Sequence, residues 1–212
     1  MYPAVYSYKK TWTRELELSI ESLRNIKEWD NTIFIIGDKP DTKGDFIHYP
    51  IKYTWGKEQK SKSNDEICAC LTAADFLDEF IMMADDIFIL KPWSLEYLNR
   101  GTLEEHSNYR VKGDTYGKTI KATKEFLKEN NMPTLSYDIH VPFLVNSEQL
   151  KDCAEIIRIK QPMLIRSIIG NWFEIPSKKS LDPKNIQLTN DTVLYSSSDN
   201  TFNYERVRKY LR

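Results

Sequence analysis

Two adjacent carboxylates, Asp85 and Asp86, interrupt an apolar run: Phe80-Ile81-Met82-Met83-Ala84 precedes them and Ile87-Phe88-Ile89-Leu90 follows. A segment this apolar is built to be buried, and a buried carboxylate is costly unless a partner compensates its charge. A divalent cation carrying a phosphorylated substrate is the natural compensator, because hard Mg²⁺ and Mn²⁺ favour carboxylate oxygen. In that chemistry Asp86 binds the ion directly, while Asp85 takes a metal-bound water or a ribose hydroxyl. The competing assignment is the solvated turn of a β-hairpin. Against it, no glycine or asparagine separates the two apolar runs.

Other side chains could complete such a site. Asp138 is a candidate general base for an acceptor hydroxyl, or else the cap of a loop. Asp199 is a second candidate carboxylate. Lys57, Lys60 and Lys62 lie in one short polar stretch, and Arg166 near the end of a predicted helix; their charges could stabilise a diphosphate leaving group. A lysine run of this kind is more often a solvated loop. Of the three histidines at 48, 106 and 140, only His140 sits beside another titratable group in an otherwise apolar stretch. Trp55, Trp93 and Trp172 could stack on sugar or base rings, or serve the core.

The elements that must position these groups read as alternating strands and helices. Tyr2 to Tyr8 predicts a first strand. Thr13 to Ile26 predicts a helix with Leu16, Ile20, Leu23 and Ile26 on one face and Thr13 as N-cap. Residues 31–38 predict a buried parallel strand, and 45–51 a short one. Ser63 and Glu66 form a capping-box pattern ahead of a helix whose inner stripe is Ile67, Leu71 and Ala74. Phe80 to Met83 is then the strand that delivers the acidic pair. In an open α/β sheet ligands collect beyond the carboxyl ends of the strands, where Asp85 and Asp86 fall. Further on, 101–117 reads as a loop, 119–130 as a helix and 137–145 as a half-buried strand. Helices over 148–159 and 161–169, a late strand over 190–197 and a basic helix over 204–212 complete the chain.

Composition narrows the class. The 212 residues suit one domain, 41% hydrophobic content supplies a core, and 12% aromatics argue against disorder. Seven glycines, with neither GxGxxG nor GxxxxGK[ST], argue against a glycine-rich phosphate loop. Net charge is −1, yet the middle of the chain is acidic and both ends basic, which suits a cation site and an anionic ligand or simply solvated faces. Cys68, Cys70 and Cys153 match neither a disulfide framework nor a zinc motif, and Cys68 and Cys153 read as buried reduced thiols. With no signal-peptide core and no apolar run near the ~18 residues of a membrane span, a cytoplasmic protein without a transmembrane segment is expected.

The run Asp78 to Phe88 resembles the DxD segment of GT-A glycosyltransferases, in which a carboxylate holds Mn²⁺ or Mg²⁺ against the diphosphate of a nucleotide sugar. Strand 2–8, helix 13–26 and strand 32–36 with Gly37-Asp38 are similar to the opening of that fold. Residues 63–88, Ile139-His140-Val141-Pro142 and Leu194 to Asp199 resemble blocks of Stealth-type sugar-phosphate transferases; Tyr53-Thr54-Trp55 only faintly echoes their opening block.

The resemblance implies one GT-A-like, Rossmann-like α/β domain with a mostly parallel central sheet and helices on both faces. Residues 1–90 would be its nucleotide-binding half and 91–212 its acceptor half. It makes Asp86 and Asp85 the metal and nucleotide pair and His140 a further metal or phosphate contact, and brings Asn64 and Asp65 towards the ribose or base. A UDP- or GDP-sugar is the expected donor, with a glycan, lipid-linked glycan, protein or modified nucleic acid as acceptor. The basic residues Arg206, Arg208, Lys209 and Arg212 are compatible with an anionic one. The rival assignments are sugar-1-phosphate transfer on the same fold, and a noncatalytic acidic-pocket domain similar to response-regulator receivers.

Overall fold

The computed structural model describes residues 1–10, 14–42, 44–51, 62–108, 115–157, 163–198 and 200–211, without the side chains of 62–64 and 156–157. Thr13, Trp55, Lys57, Lys60, Asp199 and Arg212 therefore lie outside the described residues, as do the side chains of Lys62 and Asn64.

The chain opens with β1 (Tyr2–Tyr8), α1 (Glu15–Ser22) with a 3₁₀ turn over Leu23–Asn25, β2 (Trp29–Gly37) and β3 (Ile47–Tyr49). It continues with α2 (Lys62–Ala74), β4 (Glu79–Met83), β5 (Ile87–Ile89) and β6 (Leu98–Asn99). Then come α3 (Leu103–Asn108), α4 (Thr115–Glu129), β7 (Phe143–Asn146), α5 (Ser147–Ile157) and α6 (Ile165–Trp172). Last are β8 (Lys178–Lys179), β9 (Leu194–Ser196) and α7 (Tyr204–Tyr210).

The central sheet has the order β3-β2-β1-β4-β7. All pairs are parallel except β4 with β7. Both faces are covered, so the central strands are apolar on both sides rather than alternating. Val5, Phe34, Ile36, Phe80 and Met82 pack with Ile67, Cys70 and Ala73 of α2, Leu150 and Cys153 of α5, and Ile168 of α6. Ala4, Tyr6, Ile33, Ile35, Ile81 and Met83 pack on the opposite face with Leu16 of α1, and with Leu23, Ile87, Ile89 and Trp93. Leu18 lies in a further cluster with Phe88, Tyr195 and Val207, which seats α7 and the β5–β9 pair on the outside of α1.

Several expectations change. The helix predicted from Thr13 to Ile26 yields after Ser22 to the 3₁₀ turn, and Ile26 is already extended, bridging Trp93. Ser63 lies inside α2 rather than at its flank, so it is no N-cap, and Glu66 contacts Arg166. Cys68 is exposed, whereas Cys70 and Cys153 are buried, because α2 turns its 69/70/73 face to the sheet. The stretch over 101–117 contains α3 and the start of α4. The predicted strand over 137–145 is regular only from Phe143, and the residues before it matter most for the site.

Candidate active site

Strand order reverses at β1, whose neighbours β2 and β4 lie on opposite sides, so the crevice beyond the carboxyl ends of β1 and β4 is the switch point where such sheets bind ligands. Asp85 and Asp86 occupy that end as the central residues of a β-turn, closed by the Ile87 amide donating to the Ala84 carbonyl at 3.2 Å. Neither has a positive φ, so this turn needs no glycine. It is not the turn of a hairpin, since β4 pairs with β1 and β7 while β5 leaves the central sheet to pair with β9. Ser19 of α1 fixes the turn from beneath. Its Oγ lies 2.7 Å from the Ile87 carbonyl, 3.2 Å from the Ala84 carbonyl and 3.0 Å from the buried Tyr6 hydroxyl. Burial pushes the Tyr6 phenol well above its ordinary range; the Ser19 contact opposes this and the Asp85 charge adds to it.

The antiparallel strand β7 begins at Phe143, opposite Met82 at the end of β4, so the residues just before it return to the acidic turn. There the backbone makes two successive γ-turns: the Ile139 amide donates to the Tyr137 carbonyl at 2.9 Å, and the Val141 amide to the Ile139 carbonyl at 2.8 Å. Tyr137, Ile139 and Val141 are buried, while the alternating Asp138 and His140 are half-buried. Gly170 of α6 makes room for this segment, because a Cβ there would stand 2.5 Å from the Tyr137 ring.

Arg166 clamps the segment from α6. Its Nη1 donates to the carbonyls of Ile139 at 3.1 Å and Val141 at 2.8 Å, its Nε lies 3.0 Å from Met82 Sδ, and its Nη2 lies 3.4 Å from Glu66 Oε1. The guanidinium is buried and committed to protein groups, so its place in this arrangement is to position Asp138 and His140 rather than to reach a diphosphate. Burial raises the Glu66 carboxyl, opposed by Arg166 and reinforced by the Asp138 charge.

The acidic turn and the clamped segment meet at a lysine. Lys184 Nζ lies 2.9 Å from Asp86 Oδ2 and 3.1 Å from His140 Nε2. On its other side, His140 Nδ1 is 3.0 Å from both carboxylate oxygens of Asp182, and Arg100 Nη1 is 2.8 Å from Asp182 Oδ2. Burial pushes the Asp182 carboxyl up, but the hydrogen bonds from His140 and the Arg100 charge outweigh it and hold the group at about 2. Asp138 accepts a hydrogen bond from the Tyr116 hydroxyl of α4.

Asp86 and His140, both expected as metal ligands, thus converge on one cation, and that cation is an ammonium. Lys184 Nζ stands between the two side chains, within hydrogen-bond distance of both. Among the described residues no group of three or more His, Cys, Asp or Glu is arranged to hold a metal ion.

Other expected contacts lie elsewhere. Trp93 is buried and Trp172 stacks on Phe126 at 6.0 Å, so both serve the core. His48 contacts the Gly37 carbonyl and His106 the Ser136 hydroxyl. Asp65 is buried. Arg208 of α7 is held by Tyr204, which also binds Glu17. The residues that the sequence did not mark are Lys184, Asp182, Arg100, Tyr116 and Glu66 in its contact with Arg166. Lys184 and Asp86 are 98 positions apart, and no local spacing joins them.

The fold is an α/β sheet of Rossmann-like kind with a polar centre at its switch point. No protein-family model and no curated protein sequence matches the chain. Among solved structures, the apo-form glycosyltransferase GlyE of Streptococcus pneumoniae TIGR4 is similar over 99% of this chain and 60% of that one, with 13% identity and a TM-score of 0.42. A second GlyE structure is similar over 86% of this chain and 45% of that one, with 12% identity and a TM-score of 0.35. The chain therefore spans about 60% of the length of the first. Among the described residues, no helix is long and apolar enough to cross a membrane.

Proposed function

We propose that the protein is a glycosyltransferase that moves a sugar from a nucleoside-diphosphate donor, a UDP- or GDP-sugar, to an acceptor hydroxyl. The observation that carries this reading is the convergence of Asp86, Lys184 and His140 at the switch point of a mostly parallel sheet, next to the segment that bears Asp138. The donor diphosphate lies across the carboxyl ends of β1 and β4, with the Lys184 ammonium on its oxygens. The sugar C1–oxygen bond to the diphosphate breaks and a C1–oxygen bond to the acceptor forms. Asp138, oriented by the Tyr116 hydroxyl, takes the acceptor proton, and the nucleoside diphosphate leaves with its charge stabilised by fixed donors.

A panel of UDP- and GDP-sugars, read by calorimetry and by mass spectrometry of candidate acceptors, tests this reading. At least one donor is expected to bind, and Asp138→Asn to keep binding while losing turnover by roughly 100-fold or more. Phosphorus NMR of the products distinguishes the bond made: nucleoside diphosphate is expected, whereas a mononucleotide with a new phosphodiester would mean sugar-1-phosphate transfer. A chain that binds no nucleotide or nucleotide sugar overturns the proposal.

A further inference from the structure

Lysine carries three N–H protons and no lone pair, so it can only donate. The His140 Nε2 facing Lys184 at 3.1 Å must then bear the lone pair, and the proton of the neutral ring sits on Nδ1, aimed at the acceptor-only carboxylate of Asp182. This carboxylate–imidazole order is the one that fixes the tautomer of metal-binding histidines, raising the basicity of the free nitrogen. Here the free nitrogen meets an ammonium.

The lysine is anchored for that position by its backbone. Its amide donates to Asp182 Oδ1 at 3.2 Å. Residues 183–185 run beside Ser196: the Ser196 amide donates to the Pro183 carbonyl at 3.1 Å and the Asn185 amide to the Ser196 carbonyl at 2.7 Å. Ser196 in turn pairs with Ile87, the residue after Asp86. Lys184 and Asp86 are therefore set against each other by one continuous ladder.

We propose that Lys184 is the resident cation of the diphosphate site, filling the place between Asp86 and His140 that a divalent ion would take and making donor binding independent of metal. It rests on the donor-site reading given above. Asp86 and His140 engage two of the ammonium's protons, which leaves the third for a phosphate oxygen. The side chain is 30% exposed, so a ligand can reach it from solvent. A divalent ion on the same two atoms would overlap the ammonium and be repelled by it, so the two cations exclude each other.

The test uses Mn²⁺ alone as the first probe, by paramagnetic resonance of free Mn²⁺ with the full chain, and needs no donor. Wild type is expected to bind Mn²⁺ weakly. Lys184→Ala, and Lys184→Met as the variant that keeps the aliphatic stem, are expected to gain one site at least ~10-fold tighter. Adding Asp86→Ala should abolish that site, and adding Asp182→Ala should weaken it by about 10–100-fold. The second probe is donor binding in EDTA. Wild type should bind; Lys184→Ala should lose roughly 10-fold or more and recover with Mn²⁺. Equal Mn²⁺ affinity in wild type and both lysine variants, or wild-type donor binding that requires Mn²⁺ and ignores Lys184, overturns the inference. If no nucleotide binds any form, the donor reading falls, while the Mn²⁺ arm still judges whether the lysine occupies a cation site.

Discussion

Replacing Arg166 by Met removes the clamp on the segment that carries Asp138 and His140, and the structure sets the size of the effect. Arg166 is 5% exposed. It supplies charged donors to the Ile139 and Val141 carbonyls at 3.1 and 2.8 Å. Hydrogen bonds from charged donors contribute about 1.5–3 kcal/mol each, non-additively, and removing one member of a buried charged network typically costs ~3–5 kcal/mol. The Ile139 carbonyl keeps the Val141 amide, so the Val141 carbonyl is the group that the substitution strips most. A loss of about 3–5 kcal/mol is expected in urea unfolding, equivalent to roughly 6–20 °C in Tm for a chain of this size. The Glu66 contact contributes little by comparison: it is long at 3.4 Å and its carboxylate is 31% exposed. Glu66→Gln alone should therefore cost under ~1 kcal/mol. Arg166→Lys should recover only part of the loss, because one ammonium cannot span both carbonyls and still reach Met82 and Glu66. The reasoning is refuted if Arg166→Met costs less than about 1 kcal/mol, or if Glu66→Gln matches it.

Two further outcomes follow from buried polar partners. Asp182 is held at about 2, below its ordinary value of 3.8, so it contributes stability that is present above pH ~4 and lost as pH falls towards 2. Urea midpoints between pH 5 and 2.5 should show an extra drop on the order of 2 kcal/mol in wild type. That drop should vanish in Asp182→Asn, and equal slopes for the two proteins would refute it. Ser19→Ala strips the buried Tyr6 hydroxyl and the turn carbonyls of their shared partner, and should cost ~1–3 kcal/mol in chemical unfolding. Tyr6→Phe combined with Ser19→Ala should cost less than the sum of the single changes; strict additivity would refute that coupling.

The sheet was legible because its strands are buried on both faces. Residues 2–8, 31–37 and 80–83 are apolar runs bounded by polar or turn residues, and nothing in their tertiary setting overrides that pattern. Residues 137–142 misled for the same reason. Tyr137, Ile139 and Val141 alternate with polar residues as in a strand, but the γ-turns give the same in–out alternation without ladder pairing. Periodicity reports which side chains are buried, and here burial comes from α6 and the Arg166 clamp rather than from a neighbouring strand. The Ser63–Glu66 spacing misled differently: a capping box needs its serine at the helix flank, whereas Ser63 lies within α2 and Glu66 contacts a guanidinium 100 residues away.

The candidate site was half legible, and the missing half has one topological cause. Asp86 could be found because a carboxylate between apolar runs is locally anomalous, and His140 because it is a titratable ring in an apolar stretch. Lys184 is a lysine in a polar stretch, which is the ordinary condition of lysine, so no local rule can single it out. Its importance arises only when β5 leaves the central sheet and pairs with β9, since Ile87 opposite Ser196 and Ser196 beside Lys184 set the ammonium against Asp86. An acidic pair in a sequence therefore predicts that a cation is needed, but not which cation. Choosing between a bound ion and a side chain requires the partner of the strand that follows the pair, and in this chain Lys184 lies beside that partner.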